Sequence, residues 1–153
     1  MKDNQEVLLI PKIELGIVID HIPASALFKV VSILKLDKLD TMITIGNSLD
    51  SSKLGKKGII KLSKVFFEDH EINKIALVAP CAKLNIIKDY DVVEKRVVEI
   101  PDEIVGIARC VNPKCITNNE EVTTRFEVVS KSEVKLKCYY CEKITDQDNI
   151  EII

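Results

Sequence analysis

From residue 16 onward the chain falls into short apolar runs whose spacing switches between the period of a strand and that of a helix. Residues 16–22 form a β-branched run that predicts a strand, and Pro23 ends it in a position that suits the first turn of a helix. Residues 24–36 then place Leu27, Val30, Val31 and Leu34 at helical spacing, with Lys29 and Lys35 elsewhere on the wheel. Residues 37–40 read as a charged turn. Residues 41–45 alternate as a strand up to Gly46-Asn47, residues 47–58 carry the Ser and Gly of a hairpin connection, and residues 59–62 form the returning strand. Glu68 and Asp69 suit a helix N-terminus; Ile72, Ile75, Ala76 and Ala79 form its buried stripe and Pro80 stops it. Residues 82–88 predict a strand with Leu84 and Ile86 on one face, Asp89 a turn, and residues 90–98 a further strand. Residues 1–14 read as an arm, apolar at residues 7–10 and interrupted by Pro11, which fits an edge strand or an extended segment.

Strand, helix, strand, strand, helix, strand is the split β-α-β plan: an antiparallel sheet with two helices, hence an α+β fold. Pro101-Asp102 marks a boundary between a ferredoxin-like domain at 1–101 and a small all-β domain at 102–153, the latter built from strand-like pieces at 104–108, 122–129, 133–137 and 144–150. About 50 residues bury too little surface to fold securely alone.

The second domain contains a remedy. Cys110 and Cys115 are followed, after a gap of 22 residues, by Cys138 and Cys141. Two close pairs can direct four sulfurs at one point, and four thiolates suit one tetrahedral Zn²⁺ with no position left for substrate. The expected cofactor is therefore a single structural Zn²⁺, whose binding energy would also be folding energy. Two disulfides or scattered core thiols, or a redox Cys138-x-x-Cys141, are the alternatives; the redox motif should open a helix after a strand, whereas residues 135–137 lead into a turn. Cys81 lacks a nearby partner and reads as a small core residue.

Composition narrows the function. The chain is 46% hydrophobic and 30% charged, as ordinary globular proteins are. It has no apolar run near the ~20 residues that span a bilayer and begins with a polar segment unlike a signal peptide, so with reduced thiols the expectation is a cytoplasmic protein with no membrane partner. With 22 basic against 24 acidic side chains, it lacks the basic excess of a nucleic-acid binder. A ferredoxin-like sheet joined to a zinc ribbon could still bind RNA, but residues 41–45 and 59–62 carry no aromatics on which bases could stack. No catalytic constellation appears. His70 sits on a charged helix start, His21 at a polar strand end, and Gly55-Lys56-Lys57-Gly58 lacks the spacing and hydroxyl of a phosphate loop. Lys61 and Lys95, on neighbouring strand-like runs, could supply point charges to a polyphosphate.

Several stretches resemble the regulatory chain of aspartate carbamoyltransferase. They are Gly16-x-Val18-Ile19-Asp20-His21-Ile22-Pro23-Ala24, Lys56-Lys57 ahead of Ile60-Lys61, Ala76-Leu77-x-Ala79-Pro80, Asn85 followed by Tyr90-Asp91-Val92-Val93, Cys110-x-Asn112-x-x-Cys115, and Cys138-x-Tyr140-Cys141-Glu142-Lys143. The resemblance implies a non-catalytic subunit. Its first domain would bind CTP, UTP or ATP and pair with a second regulatory chain, and its zinc domain would grip the catalytic chain. Carried over by position, Asp20 and Lys61 would bind the ribose and nearby groups, and His21, Asn85 and Lys95 the triphosphate. Ile13 and Tyr90 would read the base through their main chains, and Ile87 and Val92 would line the pocket. The apolar residues Val97, Val98, Ile100, Ile104 and Val105 around Pro101 predict a docked hinge between the domains and not a loose tether.

Overall fold

The computed structural model describes residues 11–153; residues 1–10 of the expected arm at 1–14, its apolar part included, lie outside them. Strands β1 (Leu15–Pro23), β2 (Ile43–Ser51), β3 (Gly55–Ser63), β4 (Lys83–Lys88) and β5 (Asp91–Val97) form one antiparallel sheet in the order β2-β3-β1-β4-β5. Helix α1 (Leu27–Ile33) follows β1, and α2 (Asp69–Asn73) follows β3. This is the ferredoxin-like strand order with β5 added at the edge, and the fold is α+β. Asp89 and Tyr90 join β4 to β5, both with positive φ (52° and 70°), the conformation a two-residue hairpin requires.

Cross-strand register explains the central sheet. Ile17 and Ile19 of β1 face Leu62 and Ile60 on β3, and Ile86 and Leu84 on β4; all six are buried. Such apolar cross-strand neighbours are the unit of sheet stabilisation. Alternation then places Val18 on the opposite face, beside Lys61 and Asn85.

Three elements differ from expectation. The segment at 47–58 is mostly strand, because β2 and β3 continue to a turn at residues 52–54. Of the five β3 residues before Ile60 only Gly58 is buried, and none of β2 is, so the outer half of the edge hairpin has no burial pattern to read in the sequence. Gly46 and Asn47 do not end β2: they open an irregularity between Gly46 and Leu49 in which Ser48 takes φ 57°. The two helices are shorter than their periodicity suggested. Residues 24–26 and 36–38 are 3₁₀ turns flanking α1, with Lys35 at φ 53° between them, and α2 passes into a 3₁₀ turn at residues 74–77. Glu68 and Glu71 close a reciprocal cap at the start of α2, as the acidic start implied.

Packing divides the described residues into two units. One comprises residues up to Leu27, Leu39–Phe66 and Ala82–Val97, and so contains the five-stranded sheet. The other joins Phe28–Lys38 and Phe67–Cys81 to Val98–Ile153. In this second unit β6 (Glu103–Val105), β7 (Ala108–Arg109), β8 (Arg125–Ser130), β9 (Lys135–Cys138), β10 (Ile144–Asp146) and β11 (Glu151–Ile152) form a four-stranded sheet, β10-β9-β8-β6, and a β11-β7 pair. Ile104, Phe126 and Leu136 are its buried centre. Gln147 Nε2 donates to the Leu77 carbonyl at 3.3 Å, and the Glu99 N–H to Asn73 Oδ1 at 3.1 Å, tying the helical segments to residues 98–153.

The apolar residues around Pro101 are not all enclosed. Val98 and Ile104 are buried, whereas Val97 and Val105 are exposed. Alternation accounts for the split on β6, where Ile104 faces Phe126 and its neighbour Val105 must point the other way. Cys81 is exposed, not a core residue, because the helical segment already ends at Leu77, ahead of Pro80, and Cys81 lies in the turn before β4. Among the described residues no helix is long and apolar enough to cross a membrane.

Candidate functional site

The metal centre is assembled by two turns. Cys110 follows β7, Cys115 precedes a 3₁₀ turn at residues 116–118, Cys138 ends β9, and Cys141 lies in the turn before β10. All four Sγ atoms lie within 4.8 Å of one another, with Cys110–Cys141 at 3.6 Å and Cys115–Cys138 at 3.7 Å. Four ligands at ~2.3 Å around a tetrahedral ion stand about 3.8 Å apart, so this spacing fits a four-thiolate cage. It excludes disulfides, whose sulfurs sit at ~2.05 Å, and all five cysteines are free.

The electrostatics agree. Burial pushes the Cys110 thiol up to about 12 and raises that of Cys138. Burial also acts to raise Cys141, but N–H and thiol donors at Lys143, Asn112, Cys110 and Cys138 bring it down to about 7. Backbone N–H groups of Asn112, and of Tyr140 and Cys141, likewise point at the sulfurs of Cys110 and Cys138. Four sulfurs this close cannot all ionise unless a cation offsets their charge, and the N–H donors are ready for thiolates. With four protein ligands the site is closed, which makes the metal structural.

The second candidate is the face of the five-stranded sheet that carries Val18. Register aligns Thr44, Lys61, Val18, Asn85 and Lys95 as successive neighbours across β2, β3, β1, β4 and β5. One step along, Ile87 pairs with Val92. Ile13, Val18 and Ile87 form a small buried apolar cluster with Ile59 against it. Above it opens a cavity of about 330 Å³ whose walls include Ile13, Lys61, Asn85, Ile87, Tyr90 and Val92. A hollow of about 560 Å³, lined in part by Glu14, Lys64 and Lys88, adjoins it through Lys12, Ile13 and Tyr90. Lys61 Nζ donates to the Pro11 carbonyl at 2.7 Å. Burial lowers its pKa, the nearby Asp20 carboxylate works the other way, and Lys12 adds to the lowering. A partly desolvated ammonium beside an apolar floor is suited to meet an anion.

The model of the aspartate carbamoyltransferase regulatory chain allosteric domain matches residues 8–99, and that of its metal-binding domain matches residues 102–151. This chain belongs to the aspartate carbamoyltransferase regulatory chain family. The regulatory chain of Bacteroides fragilis is 54% identical over 153 residues, covering all of both chains. That of Porphyromonas gingivalis is 55% identical over 150 residues, 98% of this chain and 99% of the relative. That of Thermococcus kodakarensis is 47% identical over 151 residues, 98% of this chain and 97% of the relative. The protein is accordingly a regulatory subunit and not an enzyme.

For a regulatory chain, the structure gathers six of the nine residues expected at the effector site around one cavity: Ile13, Lys61, Asn85, Ile87, Tyr90 and Val92. Lys95 lies on the same face, exposed, one strand beyond Asn85. Asp20 and His21 lie further along β1, outside the cavity's walls, at a bulge between Ile19 and Ile22. There His21 takes φ 59° and its N–H donates to Asp20 Oδ1 at 2.6 Å. His21 Nδ1 is enclosed without a hydrogen-bond partner, 3.7 Å from Asp20 Oδ2. A left-handed, bulged histidine with an unused nitrogen is a strained arrangement that a ligand could satisfy. Sequence reasoning missed Lys57, whose ammonium pairs with Asp20 at 2.9 Å. Read as part of a loop, Lys57 had no fixed neighbours; extending β3 places it opposite Pro23, next to the bulge.

Proposed function

We propose that this regulatory chain binds a nucleoside triphosphate, CTP, UTP or ATP, on the Val18 face of its sheet and so modulates an aspartate carbamoyltransferase catalytic chain. The supporting observation is the row Lys61–Val18–Asn85–Lys95, cations and an amide flanking an apolar floor, beside a cavity with exposed Tyr90 at its rim. The base would lie toward Ile13 and Tyr90, in a pocket lined by Ile87 and Val92. Asp20 and Lys61 would meet the ribose and nearby groups, and His21, Asn85 and Lys95 the triphosphate.

The ion of the metal centre is Zn²⁺ in this reading, since four thiolates in a closed cage are its usual structural site. The chain would be organised as a nucleotide-binding domain at residues 1–101 and a zinc-binding domain at 102–153 that contacts the catalytic chain. It would pair with a second regulatory chain and work in the cytoplasm, in pyrimidine biosynthesis, with no nucleic-acid or membrane partner.

Calorimetry on the full chain tests the ligand. Lys95→Ala removes one charge-assisted contact and is expected to weaken CTP and ATP by ~10- to 100-fold. Unchanged affinities would remove Lys95 from the site. Wild-type chain reconstituted with catalytic chain should shift the aspartate saturation curve when CTP or ATP is added; no shift with either would refute regulation by these nucleotides.

A further inference from the structure

The two cysteine turns are held in different ways. Cys138 and Cys141 are separated by two residues, and the Glu142 N–H donates to the Cys138 carbonyl at 3.0 Å, so the turn closes on itself. Cys110 and Cys115 are separated by four, a looser loop with one N–H of its own across it, Cys115 to Asn112 O at 3.0 Å, besides the Lys114 N–H on the Asn112 side chain. Two neighbouring side-chain amides supply what the loop lacks. Asn118 Nδ2 donates to the carbonyls of Cys110 at 2.9 Å and Asn112 at 2.7 Å. Asn119 Nδ2 donates to those of Pro113 at 3.0 Å and Cys115 at 2.8 Å. Thr117 Oγ1, in the same short turn, donates to Cys115 Sγ at 3.2 Å.

We propose that Asn118 and Asn119 are positioning residues of the metal centre: their four amide N–H groups pin both ends of the 110–115 loop and so set how long the metal is held. Each nitrogen has two donors, and each donor has its own loop carbonyl. Neither residue is a ligand; they act on Cys110 and Cys115 through the main chain. Without them the four-residue loop becomes the weak side of the cage, and the metal leaves by that side. Outer-shell groups that fix ligands act on metal sites in this way. The inference rests on the zinc reading given above.

The test uses the full chain loaded with Zn²⁺, a chromogenic chelator, and a thiol-alkylating reagent followed by mass spectrometry. One equivalent of Zn²⁺ on the wild type establishes the zinc reading first; its absence would fail that reading separately. Asn118→Ala and Asn119→Ala are expected to release Zn²⁺ about 10- to 100-fold faster than wild type. In both, Cys110 and Cys115 should be alkylated before Cys138 and Cys141. Asn118→Asp, which keeps the size but loses the donors, should behave as Asn118→Ala does. Wild-type release rates in both alanine variants would overturn the proposal, as would wild-type behaviour of Asn118→Asp or first labelling at Cys138 and Cys141. Should Asn118→Ala fail to accumulate as a folded chain, the exposed Asn119→Ala carries the same test.

Discussion

Removing the metal, by chelation or by Cys138→Ser, is expected to unfold residues 103–153 while the β1–β5 sheet stays folded. The strands of the metal-binding region are short, from two to six residues. Its centre is little more than Ile104, Phe126 and Leu136 with a few smaller neighbours. A unit of this size does not hold itself together by apolar burial. Structural Zn²⁺ in small domains contributes on the order of 10–16 kcal/mol, which exceeds the whole stability of most domains. Cys138 is also fully buried and lies across from Phe126 in the β8–β9 register, so its loss disturbs the cage and the sheet together. In Cys138→Ser, Cys110, Cys115 and Cys141 remain with too few sulfurs to close a four-thiolate cage. Amide hydrogen exchange on the full chain is the direct measurement: protection should vanish over residues 103–153 and persist in Ile17, Ile19, Ile60 and Leu84. The Cys81→Ser variant should match wild type in metal content, since Cys81 is exposed and outside the four-sulfur cluster. Full metal occupancy with undiminished protection in Cys138→Ser would sink the four-thiolate centre.

Gly16→Ala is expected to be the most damaging single change in the sheet. Gly16 has φ 142°, a conformation open to few L-residues, at the start of the central strand. A Cβ there would lie 1.9 Å from the Leu62 carbonyl oxygen and 3.0 Å from its carbon. The obstacle is backbone, so no side-chain rotation relieves it; β1 and β3 would have to part where Gly16 pairs with Ser63 and the Lys64 N–H donates to the Leu15 carbonyl at 2.9 Å. Strain and overpacking each cost about 1–3 kcal/mol, giving a loss of roughly 2–6 kcal/mol. In a chain of this size that lowers Tm by about 5–20 °C. Gly55→Ala is the comparison: φ is 76°, but nothing lies within 4 Å of its Cβ, so only the backbone term of about 1 kcal/mol applies. Thermal denaturation of the zinc-loaded variants checks both, and equal midpoints would contradict the close approach at Gly16.

What the sequence determined by itself is local. Spacing of apolar residues located β1, β4 and the apolar stripe at residues 72–79, because residues that must be buried recur with the period of the element that buries them. Ile72, Ile75, Ala76 and Ala79 are all enclosed as that stripe required. The four-sulfur cluster was legible for a similar reason: two short spacers are enough to bring each pair of sulfurs together. The outer half of the edge hairpin was not legible. No residue of β2 beyond Ile45 is buried, so its polar residues left no periodic trace there, and Lys57 was read into a loop. Tertiary structure alone decided three further matters. It set the register that aligns Lys61, Asn85 and Lys95, residues drawn from three strands up to 34 positions apart. It bent β1 at the bulge that turns His21 left-handed beside Asp20. It also grouped α1 and α2 with residues 98–153 in one packed unit. Such features depend on which strands pair and in what register, and hydrogen bonds between distant segments carry no signature in the residues on either side of any one of them.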